Sequence, residues 1–444
     1  MTRVLVPTGA LGLGWDEAAL EAGLAAKPDV IAVDGGSTDS GPSYLGRGVS
    51  KYARASMVAE WGALLRARER AGVPLVLGTA GTCGADAAVD WMLEITREVA
   101  PGPLKLAVLR SGQDPAAVRA AWESGRVTPL EGAPEVTGEG IEACTNIVAL
   151  AGAEQIQAAL ATGADVVIAG RTTDTAVIAA LPLMNGDAPG PAWHGSKIAE
   201  CGALCATRPQ SGVLLLETDG SGFTVTPMAE GARATPRTVL AHMLYENTDP
   251  QVLHEPGGYL DTTHATYAAA SERSVRVEGS VWVPRPYTVK LEGARIAGYQ
   301  TILLSILRDR RYVEAAAEWC AGVEAKLRRD VAARLGDVDY DVELRRIGMD
   351  AAMGALETRT GDPNEVGVLG IVTAPTQKLA TQIAMLLNPP MLHHPLTPEE
   401  EQPTFAFPFS PPEIERGPLW EFALHHVMHL DDPMEAFRLE VVDV

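Results

Sequence analysis

An α/β fold is predicted: an N-terminal, mostly parallel sheet with flanking helices, followed by a C-terminal α+β domain. Two observations predict it. Short β-rich runs alternate with longer helical patterns through roughly the first 185 residues, and parallel neighbours need such helical crossovers. After about residue 210 that rhythm gives way to successive strand-like runs and then a long helical one.

In chain order, Val4 to Pro7 reads as a strand, Trp15 to Ala25 as a helix, Asp29 to Val33 as a strand and Lys51 to Ala71 as a helix. Strands near Leu75 to Gly78, Lys105 to Leu109, Asn146 to Leu150 and Asp165 to Ala169 follow, interleaved with helices near Ala87 to Val99, Pro115 to Glu123 and Glu154 to Thr162. These units, with a long insertion near Val127 to Ala143, fit an open sheet or a closed barrel, and the Rossmann-like open sheet is the expected form. Further on, Gly212 to Glu217, Gly222 to Thr226, Ser274 to Val283 and Tyr287 to Leu291 read as strands and Val313 to Leu335 as a helix. A strand over Glu365 to Val372, a helix over Gln377 to Leu387 and a strand over Leu419 to Leu430 complete the pattern. Between the last two lies Asn388 to Pro418, rich in Pro, Glu and Phe, which is expected to be an extended arm because proline removes backbone donors. The expected domains are 1–210 (α/β), 211–387 (α+β) and 388–444 (the arm and a C-terminal segment).

At 444 residues the chain exceeds one ordinary core. Its formal charge of −21 argues against a broad basic surface for nucleic acid or anionic membrane. There is no apolar run of the roughly 18 residues a spanning helix needs, and Met1 to Val6 lacks the apolar core of a secretion signal. A cytoplasmic location follows as an expectation. Five scattered cysteines do not make a disulfide framework, so reduced thiols are expected.

Function is expected where strands end. Asp34-Gly35-Gly36-Ser37-Thr38-Asp39 follows the apolar run Val30 to Val33, Gly78-Thr79-Ala80-Gly81-Thr82-Cys83 follows Pro74 to Leu77, and Gly170-Arg171-Thr172-Thr173-Asp174 follows Asp165 to Ala169. Ligands of parallel sheets sit beyond the carboxyl ends of the strands, so these three loops are expected to line one pocket. Asp34 and Asp39 are candidates for general acid and base, or, with Asp174, for oxygen ligation of a cation such as Mg2+; capping helices and closing turns is the plainer role of loop aspartates. Arg171 either holds a substrate carboxylate through its planar guanidinium or forms a structural ion pair with Asp174 or another acid.

Cys83 is placed at the start of the Asp86 to Val99 helix, either as a nucleophile or as a small buried thiol. The amides of its turn, with the Thr79 and Thr82 hydroxyls and Gly81, are an anion-binding candidate. Gly35, Gly36, Ser37, Thr38 and Thr172 supply close backbone approach and hydrogen bonds. Arg110, Ser111 and Gln113 are candidates for a second polar wall, and Asn247 to Pro250 with His254 for a turn closing over the pocket. Neither a dinucleotide fingerprint nor a phosphate loop is present, so no nicotinamide or flavin is expected. His425 and His429 lie on an alternating, strand-like stretch without a third ligand, which argues against zinc.

Several separated segments resemble the acyclic terpene utilisation family: the Asp34 to Pro42 loop, Ala164 to Asp174, Glu200-Cys201-Gly202-Ala203, and Leu244-Tyr245-Glu246-Asn247-Thr248-Asp249-Pro250. Arg416 to Phe422 and the stretch through Asp431-Asp432-Pro433 are similar to a small domain that often accompanies this family as a separate chain and would here be fused. The resemblance implies cytoplasmic catabolism of a carboxylate or an acyl thioester. Lyase, hydratase or isomerase chemistry on a small carboxylate or acyl-CoA is the leading expectation. A non-catalytic subunit or binding module of a larger complex, and a metal-dependent hydrolase, are the alternatives. The Pro-rich arm motivates an expected homo-oligomer.

Overall fold

The computed structural model describes residues 1–359 and 361–444. Two compact units are formed, one by residues 1–295 and 422–444, the other by residues 296–421. The expected divisions at 210 and 387 do not coincide with these units. The reason lies in sheet pairing: Leu214–Thr218 lies antiparallel against Thr2–Val6, and Arg438–Asp443 lies against Lys105–Arg110, so later segments complete the first sheet.

In the first unit a ten-stranded open sheet runs in the order Thr266–Ala269, Val275–Glu278, Gly222–Pro227, Leu214–Thr218, Thr2–Val6, Val30–Asp34, Leu75–Gly78, Val166–Ala169, Lys105–Arg110, Arg438–Asp443. The five strands from Thr2–Val6 to Lys105–Arg110 are parallel to one another, as expected; those outside them pair antiparallel. Each parallel strand has an apolar centre, with Val30 to Val33 and Val166 to Ala169 all buried, because helices cover both faces. Leu20, Met57, Trp61 and Met92 pack on one face, and Ile156, Ala159, Ala176 and Ile178 on the other.

One expected strand lies elsewhere. Asn146–Ala149 pairs antiparallel with residues 291–294 and takes no place in the parallel sheet. The run Ser274 to Val283 divides at Gly279, where φ is +88°, into two strands that enter different sheets.

In the second unit, Asp341–Ile347, Val366–Ala374 and residues 299–307 form an antiparallel sheet. The helices Ala316–Leu335 and Gln377–His393 cover it with Trp319, Val323, Ile383 and Leu387. The expected arm is a folded segment of this unit. The second helix continues through Pro389 and Pro390, Phe405 packs against Tyr312 and Trp319, and Ala406 bridges to Ile306. Burial of the Phe405 ring among these aromatics holds the segment down. The ground for expecting an oligomer therefore falls away.

Candidate functional site

Register brings the strand-end loops together. Asp34 pairs with Gly78 across neighbouring strands, and Leu75–Gly78 lies beside Val166–Ala169. The contacts are backbone to backbone. A side chain on Gly35 would stand 2.3 Å from the Thr79 carbonyl oxygen, and one on Gly84, where φ is +64°, 2.2 Å from the Arg171 nitrogen. Glycine is required at both. Thr79 and Thr82, both β-branched, have φ of +42° and +69°, values such residues hold only under structural compulsion.

Around these loops the first unit has a cleft with two arms that share Ser37, Asp39, Asp174 and Glu246. One arm, about 470 Å³, is lined by Asp34, Thr82, Tyr52, Cys201 and Tyr245 among others; the second, about 720 Å³, by Arg171, Lys197, Glu200, Glu255 and Lys290 among others. Gly36, Ser37 and Asp39 line the cleft as well. Gly35, Thr38, Thr79, Gly81, Cys83 and Thr172 lie behind it and line neither arm.

Several expected roles are corrected. Arg110 is not in the cleft: its guanidinium pairs with Asp90 (2.8 Å) and Glu440 (2.9 Å). The Ser111 hydroxyl donates to the Arg171 carbonyl and the Gln113 amide to Ser111 and Ala436, so no second polar wall forms. The helix near Cys83 starts only at Asp86. Cys83 itself is fully buried beside Leu45, Ala88 and Val148, and burial pushes its thiol up from the ordinary range. In its turn the amides of Thr82, Cys83 and Gly84 donate to the carbonyls of Thr79 and Ala80, which leaves them no anion to hold. Among the described residues no three His, Cys, Asp or Glu side chains are grouped as metal ligands, so Asp34, Asp39 and Asp174 do not form a common oxygen cage.

Arg171 is buried within an ionic network. Its Nε donates to Glu292 (3.1 Å), and its Nη1 to the Thr172 carbonyl (2.9 Å), Asp174 (3.4 Å) and the Thr79 hydroxyl (3.3 Å). Glu292 also accepts from Thr38 (2.8 Å) and pairs with Lys290 (2.9 Å). Although burial opposes its charge, Arg171 and Lys290 hold this carboxyl down to about 2.

Four other acids of the cleft are pushed the opposite way, among them Asp174, which burial raises against the pull of Arg171. Burial and the charge of Asp174 raise Asp34 well above its ordinary value, against the pull of Arg171. Asp34 Oδ2 accepts from the Gly36 amide (2.9 Å), while Oδ1, buried, has no hydrogen-bond partner. The nearby Thr79 hydroxyl is directed at Thr172. Burial raises Glu200 to about 7, although Lys197 is bonded to one oxygen and Thr175 donates to the other (2.7 Å). Burial raises Glu255 to about 8, opposed by a 2.6 Å bond from Thr173. Thr173 is also the N-cap of Asp174–Met184 and accepts from the Ala176 amide, so that helix start carries the donors for both glutamates.

Lys197, Glu200, Glu255 and Lys290 line the second arm, Glu292 lies behind it bonded to Arg171 and Lys290, and none of the five stood among the expected site residues. Lys197 and Glu200 are one helical turn apart, and Lys290 and Glu292 share a strand face; those spacings were the available signals. Asn247, Thr248 and His254 do line this arm.

A family model described as acyclic terpene utilisation family protein AtuA matches residues 48–399. The chain belongs to that family. Membership in the AtuA family points to a catabolic role in acyclic terpene utilisation. The matched stretch includes Thr82, Arg171, Lys197, Glu200, Glu255 and Glu292, whereas the Asp34 loop precedes it. No curated protein and no solved structure matches the chain. No helix among the described residues is long and apolar enough to cross a membrane.

Proposed function

We propose that the protein is a catabolic enzyme that moves a proton beside the carbonyl of a small carboxylate or its acyl-CoA thioester, by lyase, hydratase or isomerase chemistry. One observation carries this reading: two carboxyls in one arm of the cleft are raised towards neutrality, Glu200 to about 7 and Glu255 to about 8. A proton carrier works best when its pKa lies near the operating pH, and perturbed carboxyls in a cleft mark functional sites. At neutral pH Glu200 is part ionised and accepts the proton; Glu255 keeps its own and donates. Lys197, held by Glu200, supplies the fixed positive charge that an enolate oxygen requires.

Arg171 is neutralised by Glu292 and Asp174, so Lys290, whose side chain is 32% exposed, is the better anchor for a substrate carboxylate. Asp39, exposed at the junction of the arms, is a mouth residue in this reading.

Deuterium exchange tests the reading. The protein is incubated in deuterium oxide with a panel of short carboxylates and their coenzyme A thioesters, and loss of the proton α to the carbonyl is followed by NMR. Catalysed exchange with at least one compound, abolished by Glu200→Gln in a variant that retains its melting temperature, is the expected result. No exchange with any member would favour a non-catalytic binding subunit.

A further inference from the structure

In the second unit the antiparallel sheet gives only one face to the core. Alternation along Val366–Ala374 and residues 299–307 sends Leu303, Leu307, Val366, Val368 and Val372 inward beneath the two helices. The intervening Ile302, Leu304, Ile306, Leu369 and Ile371 stand on the opposite face, half-buried, and join no hydrophobic core among the described residues. A solvated sheet face is normally polar; this one is aliphatic and contiguous. Register sets Ile371 beside Ile302 and Leu369 beside Leu304. A methyl on Gly367 would stand 3.5 Å from both Ile347 Cβ and Leu304 Cδ1, so the patch closes over this glycine and reaches Ile347, which is 47% exposed. Contiguous apolar surface of this kind marks an interaction site.

The edge strand says which partner fits. Asp341–Ile347 pairs with Val366–Ala374 so that Glu343 lies beside Ile371 and Arg345 beside Leu369. The face therefore carries two adjacent rows, one of Glu343, Ile371 and Ile302, the other of Arg345, Leu369 and Leu304. They are alike in shape and opposite in charge. A two-fold axis running along the rows and between them lays each on the other row of a second copy. Aliphatic side chains then meet aliphatic ones, and each Glu343 meets the partner's Arg345. Within one chain Arg345 already holds Glu343 through bonds of 2.8 and 3.0 Å, and both side chains are about half exposed. Across the axis the two pairs close into a ring of four alternating charges.

We propose that this face packs against its counterpart in a second copy of the chain, sheet on sheet, about the axis between the Glu343 and Arg345 rows. Sheets packed in this way lie about 10 Å apart with their strands within about 30° of alignment, a gap that the long Glu343 and Arg345 side chains span at the edge. The ground is the sheet itself. It is separate from the Pro-rich segment, which folds into its own unit, and from the proton-transfer reading of the cleft.

Sedimentation velocity of the full chain tests the assignment, run over a range of micromolar concentrations at physiological ionic strength, which screens the overall charge of −21. A monomer–dimer equilibrium is expected. Leu369→Thr combined with Ile371→Thr, which keeps strand-forming residues on the face, should weaken the dimer tenfold or more with the circular dichroism spectrum unchanged. Arg345→Glu should weaken it as well, by placing four acids where the charges now alternate, and adding Glu343→Arg should restore it. Should the threonine variant lose its fold, the exposed charge variants carry the test. The assignment is overturned if the wild-type chain sediments as a monomer throughout, if the dimer survives the threonine variant undiminished, or if the charge exchange fails to restore what Arg345→Glu removes. A monomer would leave the face to a protein of another kind.

Discussion

Replacing Glu255 by glutamine should make the protein more resistant to heat, increasingly so as pH rises. Glu255 is 8% exposed, and burial raises its carboxyl from an ordinary 4.5 to about 8. The sign follows from proton counting. Between these two values the folded chain binds more protons at this group than the unfolded chain, so stability falls with pH by about 1.4 kcal/mol per unit. Below about 4.5 the penalty is absent, and by about pH 8 it reaches on the order of 5 kcal/mol. Glutamine has the same shape, accepts the Thr173 hydroxyl that Glu255 now accepts at 2.6 Å, and does not titrate. Melting curves of wild type and Glu255→Gln, recorded by circular dichroism at several pH values from about 5.5 to 7.5, should diverge by roughly 3 kcal/mol over that range. The variant should melt several degrees higher at the upper end. Parallel curves would show that Glu255 is not raised, and with it the argument for poised carboxyls would fail.

Proton exchange catalysed by the protein should rise through about pH 7 as Glu200 ionises and fall above about pH 8 as Glu255 loses its proton, a bell measured by NMR at constant ionic strength. Arg171→Met should destabilise by about 3–5 kcal/mol because it strands the buried Glu292 charge, and adding Glu292→Leu should restore much of the loss in thermal melting. Gly84→Ala should lower the melting temperature sharply, since its methyl would stand 2.2 Å from the Arg171 nitrogen at a φ of +64°; an unchanged melt would refute the backbone contact. Cys83, buried with its thiol pushed up, should resist iodoacetamide in the native protein and react after unfolding, as read by peptide mass spectrometry.

The parallel strands were legible because each holds a short apolar run, three of them ending in glycine or acid, and that signal is local. Val30 to Val33 followed by Asp34-Gly35-Gly36 needs nothing from the rest of the chain to be read as a strand end. What the sequence hid depends on distant pairing. Lys290 and Glu292 alternate like any solvated strand face. Only the meeting of Glu292 with Arg171, 121 positions away, buries the carboxylate and turns the pair into part of the site. Glu255 likewise reads as an ordinary turn acid until Thr173 meets it across 82 positions. Thr82 misled for the opposite reason. Its turn has the composition of an anion cradle, yet the positive φ at Thr79, Gly81 and Thr82 folds the amides back on their own carbonyls.

Arg171 shows why a strand-end arginine is ambiguous in sequence. Its position selects it for the cleft, and so does its charge, but the same position also brings it within reach of Thr79, the Thr172 carbonyl, Asp174 and Glu292. A guanidinium with these partners ties the Gly78 and Gly170 loops together and is largely spent as a substrate anchor. The charge that remains accessible in that arm lies on Lys290. In the proposed function an anionic end therefore meets Lys290, which the sequence did not single out, while Arg171 ties together the loops beside which the raised carboxyls are held.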